Sequence, residues 1–518
     1  MRNLYLLTTL VIVGIVTRLQ IIFAQNLTVD GLCIYYYDSN RYTCDLHNAI
    51  ISSPNQVLAI SGDHLPGHND LDVQTLIHRN VSISYFNGEV LRKFRNLKYL
   101  AMGAAGVSHI NENAFDVCDN LDHIYIGFNL LETFPPRMLQ NCLNLRQFDA
   151  SYNGYLTSIP EDIFGSTTSL EIFEVISASV LFGALPPNLL RNMTNLKEFI
   201  FRSNFIANVD RNLLANAVRL EKVDLSQNSI SDSSVITNLL NGHGNLKSIR
   251  VLQNRFISFD LAFFAQFTEL NDLQIGSDEL IDVDFIGWKD LPSSLTSIYL
   301  SNIGHDIPGD AFSHLTRLES LGFTGRRITN LHEDTFKQLV HLNDLGIQST
   351  GIRSIPSNVF VDQTNLTQLH LSYNAIEELP EGIFASLANI GFNRTALRGD
   401  LILSGNRIRR LNANSFGYHP YLQNFNLQFN EISEIEREIF DRFPNTMETV
   451  NLLYNNCTDT FFSYSSDLRN DERLQNCFNN WAGITTTETP GSASSIVDGL
   501  LFSITFAVST MFLMLKGQ

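Results

Sequence analysis

Asn365-Leu-Thr-Gln-Leu-His-Leu-Ser-Tyr-Asn374 spells L-x-x-L-x-L-x-x-N. The same spacing stands at Asn120-Leu-Asp-His-Ile-Tyr-Ile-Gly-Phe-Asn129 and at Tyr421-Leu-Gln-Asn-Phe-Asn-Leu-Gln-Phe-Asn430, each followed by a second apolar pair and a late Phe. A unit returning about every 24 residues is one supersecondary element stacked many times. Alternation within the L-x-L core gives a short strand, apolar residues inward and variable ones outward. Parallel pairing of such strands predicts a curved α/β solenoid. Its sheet lines the concave face, its convex side is irregular, 3-10 or short helical, and both ends are capped.

Working outward, unit starts fall near Val73, Leu97, Leu121, Leu145, Leu170, Leu196, Leu220 and Leu246. They continue at Leu270, Leu295, Leu318, Leu342, Leu366, Arg398, Leu422 and Met447, about sixteen repeats over 73–456. The second half of each unit carries Pro160/Phe164, Pro308/Phe312, Pro356/Phe360 and Pro380/Phe384 at one spacing, with Phe115, Phe264, Phe336, Phe416 and Phe440 in equivalent places. Pro is tolerated where the chain leaves a strand, and the Phe then fills the core under the convex side. The chain's 36 Phe are therefore read chiefly as an aromatic spine rather than ligand contacts. Asn129, Asn153, Asn204, Asn228, Asn254, Asn374, Asn406, Asn430 and Asn455 follow the strands. Their amides can satisfy backbone groups of the turn and the next repeat. This ladder lapses at Ala178, Asp278, Arg326 and Thr350, and the Leu295 unit is a residue short, which predicts looser or kinked stacking between about Asp278 and Thr350. The long spacing before Arg398 implies an inserted loop.

The chain has 35 Lys and Arg against 53 Asp and Glu, a formal charge of −18 spread along its length. That excludes a nucleic-acid partner, which requires a basic face. Met1-Arg2-Asn3, the apolar stretch Leu4–Val16 and Ala24 form a secretory signal peptide over 1–24. Leu500–Leu515 is apolar and short for a bilayer span of about 20 residues. With the small residues Gly491–Ser495 before it, it fits a glycolipid (GPI) attachment signal with Gly491 or Ser492 as the attachment residue; a single-pass helix from about Ile496 is the alternative. Between the last cap (457–480) and this tail (500–518) runs a linker, 481–499. Both readings tether the protein at the outer face of the plasma membrane through its C-terminal anchor.

The repeated motif resembles the extracellular leucine-rich-repeat family of the typical 24-residue class, over nearly the whole mature chain. Signal peptide, cysteine-capped array and anchor tail look most like tethered adhesion and recognition proteins of the chaoptin and connectin kind. Toll-receptor ectodomains share the array. The resemblance implies a leucine-rich-repeat solenoid that binds a protein ligand or co-receptor, or a like molecule, through its concave or lateral surface.

Six cysteines in a secreted chain imply disulfides. Cys33 and Cys44 lie in the N-terminal cap (25–72) and Cys457 and Cys477 follow the last repeat, so each pair staples one open end. Cys118 and Cys142 occupy the same place in consecutive units and stack one repeat apart, within a disulfide's reach; two buried thiols are the alternative. N-glycosylation sequons stand at Asn26, Asn80, Asn192, Asn365, Asn393 and Asn456.

No H-E-x-x-H, G-x-S-x-G, phosphate loop or dinucleotide fingerprint occurs, and the 13 His are dispersed. The reading is therefore no enzyme, no cofactor and no metal. Candidate partner-binding residues are the outward strand positions Tyr99, Tyr125, Phe128, Asp149, Tyr152 and Glu174, aromatics flanked by carboxylates. A second cluster comprises His370, Tyr373, Phe429 and Tyr454, and between the two Gly322, Gly325 and Gly346 leave a smooth stretch. Arg398-Gly399-Asp400 spells a tripeptide of integrin ligands but sits where a strand begins, so it is read as a chance occurrence. The expected function is cell-surface adhesion or recognition; the alternative is an innate-immune receptor for microbial glycan or lipid.

Overall fold

The computed structural model describes residues 27–481 apart from 180–181, 279, 393–399, 446 and 464–466. The expected signal peptide, Asn26, Asn393, Arg398, the anchor residues Gly491 and Ser492 and the apolar tail lie outside the described residues.

Alternating burial builds the sheet. In the strand His123–Tyr125, Ile124 is buried while its neighbours face outward, and Leu121 and Ile126 complete the inward set. Among the described residues, repetition of that set gives seventeen parallel strands, from Arg41–His47 through Thr75–Arg79 and Tyr99–Ala101 to Thr449–Asn451, in one leucine-rich-repeat solenoid. The ladder starts one turn before Val73. Arg41–His47 lies inside the expected cap yet pairs in parallel with Thr75–Arg79, because Cys44 and Leu46 take the buried places that Leu takes elsewhere.

Phe336, Phe360 and Phe384 stack nearly parallel with centroids 6.0 and 6.4 Å apart, and Phe416 continues the row at 5.3 Å. All four are buried. Phe440, only partly buried, ends the spine against Phe478 of the C-terminal helix Gln475–Trp481.

Between Asp278 and Thr350 the strands lengthen rather than loosen, and the expected kink is confined to one register shift at Thr324/Gly325. Ser248–Asn254, Asp272–Ser277, Ser297–Ser301, Ser320–Gly325 and Asp344–Thr350 are longer than the three-residue strands on either side, and they stay paired through register shifts at Val251/Asn254 and Thr324/Gly325, the second of which is the one irregularity of the kind expected there. Where the asparagine lapses, the backbone carries the ladder further, and short side chains take the remaining bonds. Thr324 Oγ1 accepts from the Asn302 N–H at 3.0 Å, and Asn302 Nδ2 donates to the Ser277 carbonyl at 3.0 Å.

At each end a strand antiparallel to the array covers the edge of its last parallel rung, and at the N-terminal end Gln56–Ser61 pairs outside that strand. Leu27–Asp38 lies against Arg41–His47 with Cys33–Cys44 across the pair, and Phe461–Ser463 lies against Thr449–Asn451. Cys457–Cys477 ties the C-terminal helix to the last turn. Cys118–Cys142 joins neighbouring turns with Cα atoms 4.8 Å apart. That bridge closes a loop of 24 residues. Replacing both cysteines by serine is expected to cost about 3 kcal/mol, read as a lower urea midpoint, with earlier proteolysis at turns 115–145 than elsewhere. No helix among the described residues is long and apolar enough to cross a membrane.

Candidate partner-binding ledge

The buried asparagines set the geometry of the turn after each strand. Asn129 Oδ1 accepts from the Val107 N–H (2.9 Å), and Nδ2 donates to the carbonyls of Met102 (2.8 Å) and Ile126 (2.9 Å). Asn153, Asn374, Asn406 and Asn430 repeat the pattern. Each reaches back to the preceding repeat rather than on to the next. To aim that amide, the residue just before it adopts the left-handed conformation: Phe128, Tyr152, Tyr373, Phe429 and Tyr454 have φ between 55° and 58°. Bulky side chains rarely accept this backbone. Here the price in strain places them outside the core, in one row along the strand ends.

Two pairs in that row stack in solvent. Phe128 and Tyr152 have centroids 4.3 Å apart and planes 16° apart; Phe429 and Tyr454 are 4.4 Å and 6° apart. Their exposures are 53 and 40 %, and 49 and 58 %, so these rings are surface and not cover for the core. Tyr373 does not join the second pair. The intervening row position is Gly405, where a Cβ would come within 2.7 Å of the Tyr373 ring, so the ring lies across that backbone. His370 sits on the concave strand Gln368–His370, half-buried and separate from the exposed pair.

At the N-terminal end Tyr125, Asp149 and Glu174 are Cα partners across adjacent strands and form one concave row. The Tyr125 ring lies over Gly103 and Gly127, where Cβ atoms would stand 2.1 and 3.0 Å from it. Asp149 Oδ1 accepts from the Ser151 N–H at 2.8 Å. Burial raises the Asp149 carboxyl above its ordinary range. Burial first, then the Asp149 charge, pushes Glu174 up to about 7. Tyr99 belongs elsewhere: it stacks on His123 at 4.4 Å with the Arg41 guanidinium over its ring, joining the cap to the array.

The smooth glycine stretch is not present as expected. A Cβ at Gly322 would fall 2.5 Å from the Tyr299 ring, which covers it, and one at Gly325 would fall 2.3 Å from the Ile303 carbonyl oxygen. These glycines permit close approach. Sequence reading also passed over the exposed Leu130, Tyr155 and Phe205, one or two residues past Asn129, Asn153 and Asn204. Their place in the apolar pair of the repeat pointed to the core.

Asn80, Asn365 and Asn456 are exposed and Asn192 is half-buried. Asp400 is fully buried, with Oδ2 accepting from the N–H groups of Gln423 (2.6 Å) and Asn424 (2.8 Å), so it offers no carboxylate to an integrin. Among the described residues no group of three or more His, Cys, Asp or Glu is placed to hold a metal ion.

Repeats of the BspA-type leucine-rich-repeat region match residues 72–184 and 291–396. Mouse podocan is 27 % identical over 214 residues, 40 % of this chain and 33 % of podocan, so the match spans about a third of that relative's length. Among solved structures, a leucine-rich-repeat protein of Leptospira interrogans superposes with a TM-score of 0.53 at 19 % identity, over 75 % of this chain and 91 % of that one. Drosophila Toll, in its complex with Spatzle, superposes at 0.51 and 19 %, over 84 % of this chain and 65 % of Toll. These likenesses show the fold, a leucine-rich-repeat solenoid.

Proposed function

We propose that this chain is an extracellular recognition or adhesion protein that binds a protein partner through the edge of its concave face. It is secreted by its N-terminal signal peptide, carries N-glycans, and is held at the cell surface by its C-terminal glycolipid anchor. The observation that carries the reading is the pair of solvent-exposed aromatic stacks, Phe128–Tyr152 and Phe429–Tyr454, on one row of turns. Exposed aromatic surface supplies rigid contact area of the kind that dominates protein interfaces. A solenoid of this fold is seen bound to a protein in the Toll–Spatzle complex, which supports a partner of the same class.

Phospholipase release of the full-length chain from expressing cells tests the anchor, and return of the shed protein to those cells tests self-adhesion. Wild-type shed protein is expected to bind in a saturable way to cells that bear its protein partner. Phe128→Ala with Tyr152→Ala is expected to weaken binding about 30-fold, the effect of losing an interface anchor. Equal binding by wild type and by the double variants at both stacks would overturn the ledge as an interface. Saturable binding to microbial cells instead would favour the pattern-recognition reading.

A further inference from the structure

The concave face is acidic, but its acids are not alike. Glu171 is held by Lys197 (2.7 Å), Glu198 by Lys222 (3.1 Å) and Asp272 by Arg250 (2.7 Å). Asp149 and Glu174, side by side on neighbouring strands, make no ion pair among the described residues. Adjacent parallel strands run about 4.8 Å apart, so two unneutralised carboxylates in one row oppose each other. Lys222 and Arg202 approach Glu174 only closely enough to draw its acidity partly back, while Glu198 and Asp149 push the other way. Tyr125 faces Asp149 from the other side, and burial first, then the Asp149 charge, holds its hydroxyl above the ordinary phenol range.

Resting on the reading of this ledge as a protein interface, we infer the chemistry of its partner: a basic segment whose arginine seats between Asp149 and Glu174, with its planar head and stem against Tyr125 and the exposed Phe128–Tyr152 stack. A guanidinium relieves the repulsion between the two carboxylates and offers a fork of donors to both. Its flat face matches an aromatic platform, and its methylenes cover apolar surface. A second copy of this chain is a poorer occupant, because two molecules of charge −18 repel at long range.

Binding a cation here selects the ionised form of Glu174, so it must release a proton. With the free carboxyl at about 7, the affinity rises about tenfold between pH 6 and pH 8, flattens above that, and keeps falling below pH 6 until the bound carboxyl itself takes up a proton. The probe is a fluorescent nonapeptide with three spaced arginines, titrated onto cells displaying the full-length chain, beside the same peptide with glutamines. Saturable binding of the arginine peptide is expected, with at least a tenfold loss in Asp149→Asn with Glu174→Gln. Glu112→Gln with Asp116→Asn removes the same charge elsewhere and is expected to bind as wild type. Glu174→Gln alone is expected to abolish the pH dependence between 6 and 8. Equal loss in both double variants would reduce the effect to net charge and overturn the inference, as would unchanged binding in both. Should Phe128→Ala with Tyr152→Ala lose cell binding while the acidic double variant keeps it, the ledge remains an interface and the basic partner falls. If neither loses cell binding, both fall.

Discussion

Phe360→Ala is expected to lower the unfolding free energy by about 3–5 kcal/mol, the range for removing a fully enclosed aromatic ring. Phe360 is 0 % exposed and lies between Phe336 and Phe384, nearly parallel to both. The ring is thus shared by three turns, and its loss opens a void that none of them can close alone, because each turn is held by its neighbours on both sides. In a solenoid the damage is local: stability is a sum of turn and interface terms rather than one global value. Hydrogen exchange is the decisive measurement. Protection should fall at the strands Asp344–Thr350 and Gln368–His370 and stay near wild type at His123–Tyr125. A uniform drop along the chain would mean that the array unfolds as one unit, and the spine would then couple distant turns.

The solenoid was legible because its repeat restates itself: Leu366, Leu369 and Leu371 are informative mainly because Leu342, Leu345 and Ile347 stand 24 residues earlier. The Phe spine and the placing of Cys118 one turn from Cys142 follow from the same register. Three features were not legible. Arg41–His47 forms the first rung although the repeat is spelled there with Cys44 and Leu46, since sheet pairing requires a buried face and not a particular residue. The lapses after Asp278 predicted loosening only because side-chain ladders were weighed without the backbone ladder that replaces them. A second asparagine row was also passed over. Asn96, Asn120, Asn144, Asn195, Asn245 and Asn365 each precede the first Leu of a unit and donate to a carbonyl of the preceding turn. Its signal was in plain view, but an Asn at a turn is expected on local grounds alone. Of the candidate site, the rings Phe128, Tyr152, Phe429 and Tyr454 were legible as outward positions. Their stacking was not, because it depends on the left-handed backbone that the next asparagine imposes.

The two asparagine rows should respond very differently to the same substitution. Asn153→Ala is expected to cost at least about 3 kcal/mol, since it strips partners from three buried backbone groups at about 1 kcal/mol or more each. Those groups are the Leu131 N–H (3.1 Å) and the carbonyls of Ile126 (3.1 Å) and Ala150 (2.9 Å), around a side chain that is 0 % exposed. Asn144→Ala removes one bond of 2.7 Å to the Asp119 carbonyl at an exposed site, where water takes over; about 0.5–1 kcal/mol is expected. Asn153→Asp separates the two roles of the amide. It keeps the acceptor for Leu131 but turns a donor toward two carbonyls into a buried negative charge, and burial raises its pKa. A carboxyl whose folded pKa lies above its unfolded value is least harmful at low pH, so the Asp variant should lose stability as pH rises from 4 to 7 relative to wild type. Urea unfolding of the three variants at pH 4 and pH 7 checks this. Equal costs for Asn153→Ala and Asn144→Ala would show that burial does not set the worth of a rung. The exposed ring of Tyr152 would then owe its position to something other than the amide that follows it.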